Sequence, residues 1–237
     1  MSIVIKTSDT VRIMYNKFVK RFLDIFLSAI GIIVLALPML VIALLVKISS
    51  PGPAIFKQKR VAIHKTYFNL FKFRTMRTDT PHDMPTHLLT DPQQHITKIG
   101  RFLRKTSLDE LPQLFNIVSG KMSIVGPRPA LWNQYDLIAE RDKYGANDIV
   151  PGLTGWAQVN GRDELTIEEK AHFDGEYVKN MSVKLDWTCF WMTVSGVLVS
   201  KGVIEGGTGV LVKQIDRRHT EINANPAHPA SKEPVGK

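Results

Sequence analysis

Asp109 and Glu110 are adjacent carboxylates set among cations, with Arg104 and Lys105 upstream and Lys121 and Arg128 downstream. They lie in one stretch, Arg101–Pro129, RFLRKTSLDELPQLFNIVSGKMSIVGPRP. Acid flanked by base suits phosphoryl chemistry on a metal-bound anion. A carboxylate can attack phosphorus or hold Mg²⁺, and guanidinium groups neutralise phosphate oxygens. The same residues also read as a capping box, with Ser107 as N-cap and Glu110 at N3 of a helix that carries Leu111, Leu114 and Phe115 on one face. Pro112 then falls near the first turn, where its missing N–H costs little. The two readings are compatible, because a helix N-terminus is itself an anion site.

The elements around this stretch must position it. Ala54–Lys59 and Tyr67–Phe73 read as two short β-strands, followed by Lys72 and Arg74, which on spacing alone are solvated strand residues. Ile96–Lys105 reads as a helix leading into Ser107. Gly126-Pro127-Arg128-Pro129 is a stiff turn that limits where Arg128 points, and Leu131–Tyr144 reads as a helix. Pro151–Gly155 opens a turn into a short apolar strand, Trp156–Val159. Its glycines allow either close approach to a diphosphate or tight turns. Thr166–Asn180 is helical, with Thr166 a fair cap and Asp174 and Tyr177 on one side. Trp187, Phe190, Trp191, Val194, Val197 and Leu198 form a helical apolar stripe too short to span a bilayer, fitting either the membrane interface or the core. His82, Asp83 and His87 sit in a polar loop, Thr78–Gln94, where no helix or strand fixes a ligand spacing.

From Ile25 to Val46 the chain carries no charge. That is about 22 residues, enough as a helix to cross a hydrocarbon core. Pro38 interrupts it, and basic residues flank both ends: Lys17, Lys20 and Arg21 before, Lys47, Lys57, Lys59 and Arg60 after. A simple span shows an excess of Lys and Arg on one side, so this symmetry predicts that both ends stay on the cytoplasmic side. The 237-residue chain is 44% apolar and carries a net charge of +9, which predicts a polyanionic neighbour. No nucleic-acid-binding motif is present, and the apolar segment favours a membrane surface or phosphorylated substrates. A single cysteine, Cys189, excludes an internal disulfide.

Five motifs occur in order: KRFLD at 20–24, SPGPAIFKQKR at 50–60, FKFRTM at 71–76, SLDELPQLFNIVSGKMSIVGPRP at 107–129 and PGLTGWAQVNGR at 151–162. Over roughly residues 20–200 the chain resembles the bacterial sugar transferases, the monotopic phosphoglycosyl transferases that act on polyprenol phosphate. The resemblance implies a compact α/β cytosolic domain held at the membrane by an N-terminal re-entrant helix-break-helix and interfacial amphipathic helices. The expected division is a leader at 1–16, the re-entrant helix at 17–49, the catalytic domain at 50–205 and a polar, disordered tail at 206–237. Members usually have two glycines in the loop between the first two strands, where this chain has Ala62 and Lys65. The turn must therefore be built differently.

The implied reaction moves a sugar-1-phosphate from a nucleotide diphosphate sugar, usually a UDP-sugar, to undecaprenyl phosphate and releases UMP. It would be a membrane step in the assembly of a surface glycan or glycoprotein, at the cytoplasmic face of the bacterial inner membrane. Asp109 is then the nucleophile, Asp109 and Glu110 the Mg²⁺ ligands, and Arg104, Lys72 and Arg128 the phosphate-binding cations. Gln158, Arg162 and Asp174 are weaker candidates for substrate contact. Two other classes remain: a glycosyltransferase releasing UDP, and a scaffold that only binds anionic lipid, for which the Asp-Glu pair is surplus. The sequence leaves the sugar, the pathway and the oligomeric state open, a homo-oligomer included.

Overall fold

The structure is a computed structural model and describes residues 15–80, 92–161 and 164–199. A helical turn, Tyr15–Val19, leads into α1 (Lys20–Ser49), then β1 (Ile55–Val61) and β2 (Tyr67–Phe73). There follow α2 (Pro92–His95), α3 (Lys98–Lys105), a 3₁₀ turn (Leu108–Glu110), α4 (Gln113–Val118), β3 (Ser123–Val125) and α5 (Tyr135–Asp142). The order closes with β4 (Gly152–Thr154), α6 (Trp156–Val159), α7 (Ile167–Asn180) and α8 (Val183–Val199). The fold is mixed helix and sheet with one apolar helix near the N-terminus. His82, Asp83, His87, Arg162, most of the leader and the C-terminal tail lie outside the described residues.

β1 and β2 form an antiparallel hairpin whose register pairs Ile55 with Phe73 and Val61 with Tyr67. Its turn carries His64 and Lys65 at φ 53° and 57°, the left-handed region that non-glycine residues avoid. Hydrogen bonds hold it there: His64 N donates to Asn147 O at 2.8 Å, and Lys65 pairs with Asp142 at 3.0 Å. On the other edge Asn116 of α4 stands in for a strand. Its Oδ1 accepts from Phe71 N and its Nδ2 donates to Asn69 O, both at 2.9 Å. β3 and β4 form a short parallel pair, Ser123 with Gly152 and Val125 with Thr154.

The KRFLD motif fastens α1 to this body. Lys20 pairs with Asp186 at 2.6 Å, and the same carboxylate accepts from the hydroxyls of Tyr15 and Tyr177. Arg21 donates to the carbonyls of Ile117, in the last turn of α4, and of Met122, just before β3. Asp24 accepts from Ser123 Oγ at 2.7 Å and Ile124 N at 2.9 Å. Further along, Gly31 passes close to Leu114 of α4, and Met39, Ile42 and Val46 pack with Phe73 and Leu103. Arg74 is buried and donates to the carbonyls of Ser50, Pro51 and Pro53, fixing the exit of α1. The rest of α1 is bare: Ile33, Leu37 and Ile48 are 75%, 70% and 82% exposed.

Several local expectations are corrected. Ser107 is not a helix cap: it is left-handed at φ 56°, its side chain caps nothing, and α4 begins only at Gln113 after Pro112. Glu110 is drawn instead to two cations, which outcompete a backbone N–H for its charge. Arg74 is a buried clamp, not a solvated residue. Residues 156–159 are a helical turn, and the strand is the preceding Gly152–Thr154. The helix expected over 131–144 is confined to Tyr135–Asp142, because Ala130 O and Leu131 N are committed to Val61 N and Gln134 Oε1. α1 continues through Pro38 with no non-helical residue between its halves. A proline costs one hydrogen bond there, and the flanking residues keep theirs. Thr166 does cap α7, in a reciprocal capping box with Glu169.

Asp24→Ala removes two charge-assisted hydrogen bonds from a buried site and strands Ile124 N, while Ser123 Oγ keeps its bond to Val125 O, at about 1.5–3 kcal/mol for a charged group. The expected outcome is a fall in Tm of about 4–10 °C, at roughly 2–4 °C per kcal/mol for a domain of this size, read by thermal denaturation in detergent or nanodiscs.

Candidate active site

Three elements, the 3₁₀ turn, β2 and the turn at 126–129, converge on the Asp109–Glu110 pair. The left-handed Ser107 ends the run from α3, and the 3₁₀ turn after it presents both carboxylates toward the hairpin. Lys72, near the end of β2, places Nζ 2.7 Å from Glu110 Oε1 and 3.9 Å from Asp109 Oδ2. Arg128 Nη2 lies 2.7 Å from the same Glu110 oxygen. The side chains of Asp109 and Glu110 are only 10% and 13% exposed.

The two carboxylates live in opposite electrostatic states. Burial opposes ionisation of Glu110, but Arg128 and Lys72, by charge and by hydrogen bond, outweigh it and hold its carboxyl far below the usual range. Burial pushes the Asp109 carboxyl up; Lys72 pulls it down, Glu110 pushes it up again, and Arg104 and Arg128 draw it down. Among the described residues Asp109 accepts no hydrogen bond, its nearest cation being Lys72 at 3.9 Å. A carboxylate with little water around it is a strong nucleophile once ionised, whereas Glu110 is spent on two cations.

Arg128 is fixed through its backbone. Its turn contains two prolines and so has few N–H groups to bond with itself, yet four successive carbonyls each meet a donor from elsewhere. Gly152 N bonds Pro127 O, Arg141 Nη1 bonds Arg128 O, Arg60 Nη1 bonds Pro129 O and Val61 N bonds Ala130 O, at 2.9–3.0 Å. The glycines of 151–155 serve this packing: a Cβ on Gly152 would lie 2.1 Å from Gly126 N, and one on Gly155 2.1 Å from Gly126 O. They bring two backbones together.

Lys72, Asp109, Glu110 and Arg128 are therefore assembled, and Arg104 acts on Asp109 through its charge. Gln158 donates to Leu153 O, and its Oε1 is buried without a partner. Asp174 is 1% exposed and spent on Arg141, with Nη2 at 2.6 Å and Nε at 2.8 Å. It supports the arginine that holds Arg128 O and presents no open carboxylate to a substrate. Arg60, Gln58 and Arg141 escaped the sequence reading. The first two alternate along β1 on the hairpin face that carries Lys72, a period-two signal that a strand ended at Lys59 cuts off.

The donor set fits Mg²⁺. This ion takes one or two protein carboxylates and completes its shell with water and substrate phosphates. Asp109 and the Glu110 oxygen left over by Lys72 and Arg128 supply that number, and no cluster of three or more acidic, His or Cys ligands occurs among the described residues.

The family model for bacterial sugar transferases matches residues 15–200. The chain is 43% identical to the uncharacterised sugar transferase EpsL of Bacillus subtilis over 158 residues, covering 67% of this chain and 76% of that one. It is 39% identical over 206 residues to a UDP-glucose:undecaprenyl-phosphate glucose-1-phosphate transferase of Escherichia coli, covering 84% of this chain but 44% of the relative. It is 35% identical over 201 residues to an undecaprenyl-phosphate galactose phosphotransferase of Salmonella typhimurium, covering 79% and 42%. The chain thus spans less than half the length of the latter two relatives. It belongs to the bacterial sugar transferase family.

The opposite states of the two carboxylates predict opposite mutants. Asp109 has a folded pKa above its unfolded one. Its ionisation therefore costs stability as pH rises through that window, and the cost persists above it. Asp109→Asn removes the cost, so Tm should rise by about 2–4 °C for each kcal/mol relieved while activity is lost. Glu110 has a depressed folded pKa, so its contribution is present above the unfolded glutamate value and lost as pH falls through the folded one. Glu110→Gln should lower Tm at neutral pH, with a stability loss of about 3–5 kcal/mol if both cations are left uncompensated. The same two melts check both signs.

Lys72→Met provides a kinetic check. It removes the cation that most lowers the Asp109 pKa, so the acidic limb of kcat/KM against pH should move to higher pH. An unmoved limb would mean that Asp109 is not the group that must be ionised.

Proposed function

We propose that the chain transfers a sugar-1-phosphate from a UDP-sugar to undecaprenyl phosphate, releasing UMP, through a phosphosugar ester on Asp109. One observation carries this reading: a nearly buried carboxylate, without a hydrogen-bond donor among the described residues, stands beside a second carboxylate held by Lys72 and Arg128. The functions named for the Escherichia coli and Salmonella typhimurium relatives, glucose-1-phosphate transfer and galactose phosphotransfer on undecaprenyl phosphate, support the reaction class.

In the first step an Asp109 oxygen attacks the phosphorus that bears the sugar. The P–O bond to the other phosphate breaks, and UMP leaves with the electron pair. In the second step a phosphate oxygen of undecaprenyl phosphate attacks the same phosphorus, and Asp109 leaves as carboxylate. Two steps avoid direct approach of two anionic substrates. Lys72, Arg104 and Arg128 would meet the phosphate oxygens, with Arg128 aimed by its clamped backbone. Mg²⁺, held by Asp109 and Glu110, would offset charge on the diphosphate and on the leaving UMP.

The site would work at the cytoplasmic face of the inner membrane. The bare face of α1 and the exposed Trp187, Phe190 and Trp191 of α8 supply apolar surface for a bilayer and its interface. α1 is buried against the same body at Lys20 and Asp24 and again at Met39, Ile42 and Val46. Both ends thus rest on one domain, which supports a re-entrant course over a span. The aromatic stripe of α8 points outward, which favours the interface over the core.

Incubated with a UDP-sugar alone, the wild-type protein should gain the mass of one phosphosugar on Asp109 and release UMP, and Asp109→Asn should do neither. Absence of the adduct together with substantial activity in Asp109→Asn would rule out the covalent route; UDP as product would indicate a plain glycosyltransferase. For topology, single cysteine reporters at Thr10 and Thr220 in a Cys189→Ser background should resist an impermeant maleimide in intact cells and react after lysis. Labelling of position 10 alone from outside would establish a span.

A further inference from the structure

Resting on the reading above, we propose that Arg60 is a further phosphate-binding residue of this site, its guanidinium braced by Gln58 and Pro129 O so that its unused N–H groups meet a phosphate oxygen.

The register of the hairpin places it. Phe56 pairs with Lys72, Gln58 with Leu70 and Arg60 with Phe68, and paired residues of an antiparallel ladder share a face. Gln58 and Arg60 therefore project from the face that carries Lys72. The guanidinium is rigidly held: Nε and Nη2 donate to Gln58 Oε1 at 3.2 and 2.6 Å, and Nη1 donates to Pro129 O at 3.0 Å, next to Arg128. Arginine has five N–H donors, and these bonds use three.

Its electrostatic surroundings are the second argument. No carboxylate lies within ion-pair distance of Arg60 among the described residues. The charges acting on it are Arg128, of like sign, and Glu110, one oxygen of which is already taken by Lys72 and Arg128. Burial, then Arg128, push its pKa down to about 9, so it remains a cation at neutral pH. A half-buried guanidinium beside another guanidinium, with no acid of its own among the described residues, is costly unless an anion arrives. With Arg60 counted, Lys72, Arg104, Arg128 and Arg60 outnumber Asp109 and Glu110, an excess suited to a dianionic group. A residue needed only to hold the turn could do so with a neutral donor. Arg60 does hold the turn, and the charge it adds is what the ligand would use.

The phosphate could belong to the nucleotide diphosphate or to the lipid, and the test separates them. Full-length protein in nanodiscs is titrated with pyrophosphate by calorimetry, comparing wild type with Arg60→Gln and Arg60→Lys. Arg60→Gln should weaken pyrophosphate at least tenfold. Arg60→Lys keeps the charge but loses the double bond to Gln58, and should retain affinity within about threefold of wild type. Equal losses in the two variants, or unchanged affinity in Arg60→Gln, would overturn the proposal and leave Arg60 a brace for Pro129. Pyrophosphate binding needs neither nucleophile nor lipid, so it stands apart from failure of the covalent mechanism. Single-turnover UMP release from UDP-sugar alone then identifies the source. Slowing in Arg60→Gln assigns the nucleotide diphosphate; normal release with a raised KM for undecaprenyl phosphate assigns the lipid phosphate.

Discussion

One oxygen of Glu110 accepts both Lys72 and Arg128 at 2.7 Å, and the rest of the site depends on that shared contact. It brings β2, the 3₁₀ turn and the GPRP turn to a single point. It also leaves Asp109, one residue away, with no hydrogen bond of its own among the described residues. Charge pairing in a nearly dry place is strong only if each partner's backbone is held, because the desolvation cost is otherwise unrecovered. The surrounding structure meets that condition for each of the three residues.

For Arg128 the holding is done by four donors on four consecutive carbonyls, two of them arginines that are themselves braced. Arg141 is braced by the buried Asp174, and Arg60 by Gln58. Burial raises the Asp174 carboxyl while Arg141 lowers it, and its second oxygen is buried without a hydrogen bond, so α7 bears a cost to steady a turn in another element. The glycines at 126, 152 and 155 let the two backbones approach without Cβ atoms between them. For Lys72, the Asn116 amide closes the open edge of β2 next to it.

α1 meets the same body by unlike means at its two ends. At Lys20–Asp24 the contact is polar, each charge meeting a fixed partner, and it secures β3 and α8 along with the helix. At Met39–Val46 it is apolar and lies against the residues leading into the 3₁₀ turn, including Leu108 and Leu111 on either side of the carboxylates. This apolar helix is thus part of the wall behind Asp109 and Glu110. Cys189, by contrast, is buried with its thiol pushed up to about 12 by that burial, and takes no part in the chemistry.

The sequence by itself determined the elements whose signal is local. Period two marked the hairpin to within two residues, and Thr166 with Glu169 marked the start of α7. An uncharged run of membrane length marked α1, and the order of motifs marked the family and the Asp109–Glu110 pair. Tertiary structure decided what depends on partners far along the chain. Ser107 and Glu110 have the spacing of a capping box, but Lys72 and Arg128 offer a full charge where a cap offers one N–H, and the box does not form. Arg74 reads as a solvated strand residue until three carbonyls at the end of α1 arrive beneath it. Asp174 reads as a candidate ligand until Arg141 is seen to take it. In each case the side chain's role is set by the strongest counter-group within about 3 Å, and local sequence spacing carries no information about a group that the fold brings in from elsewhere in the chain.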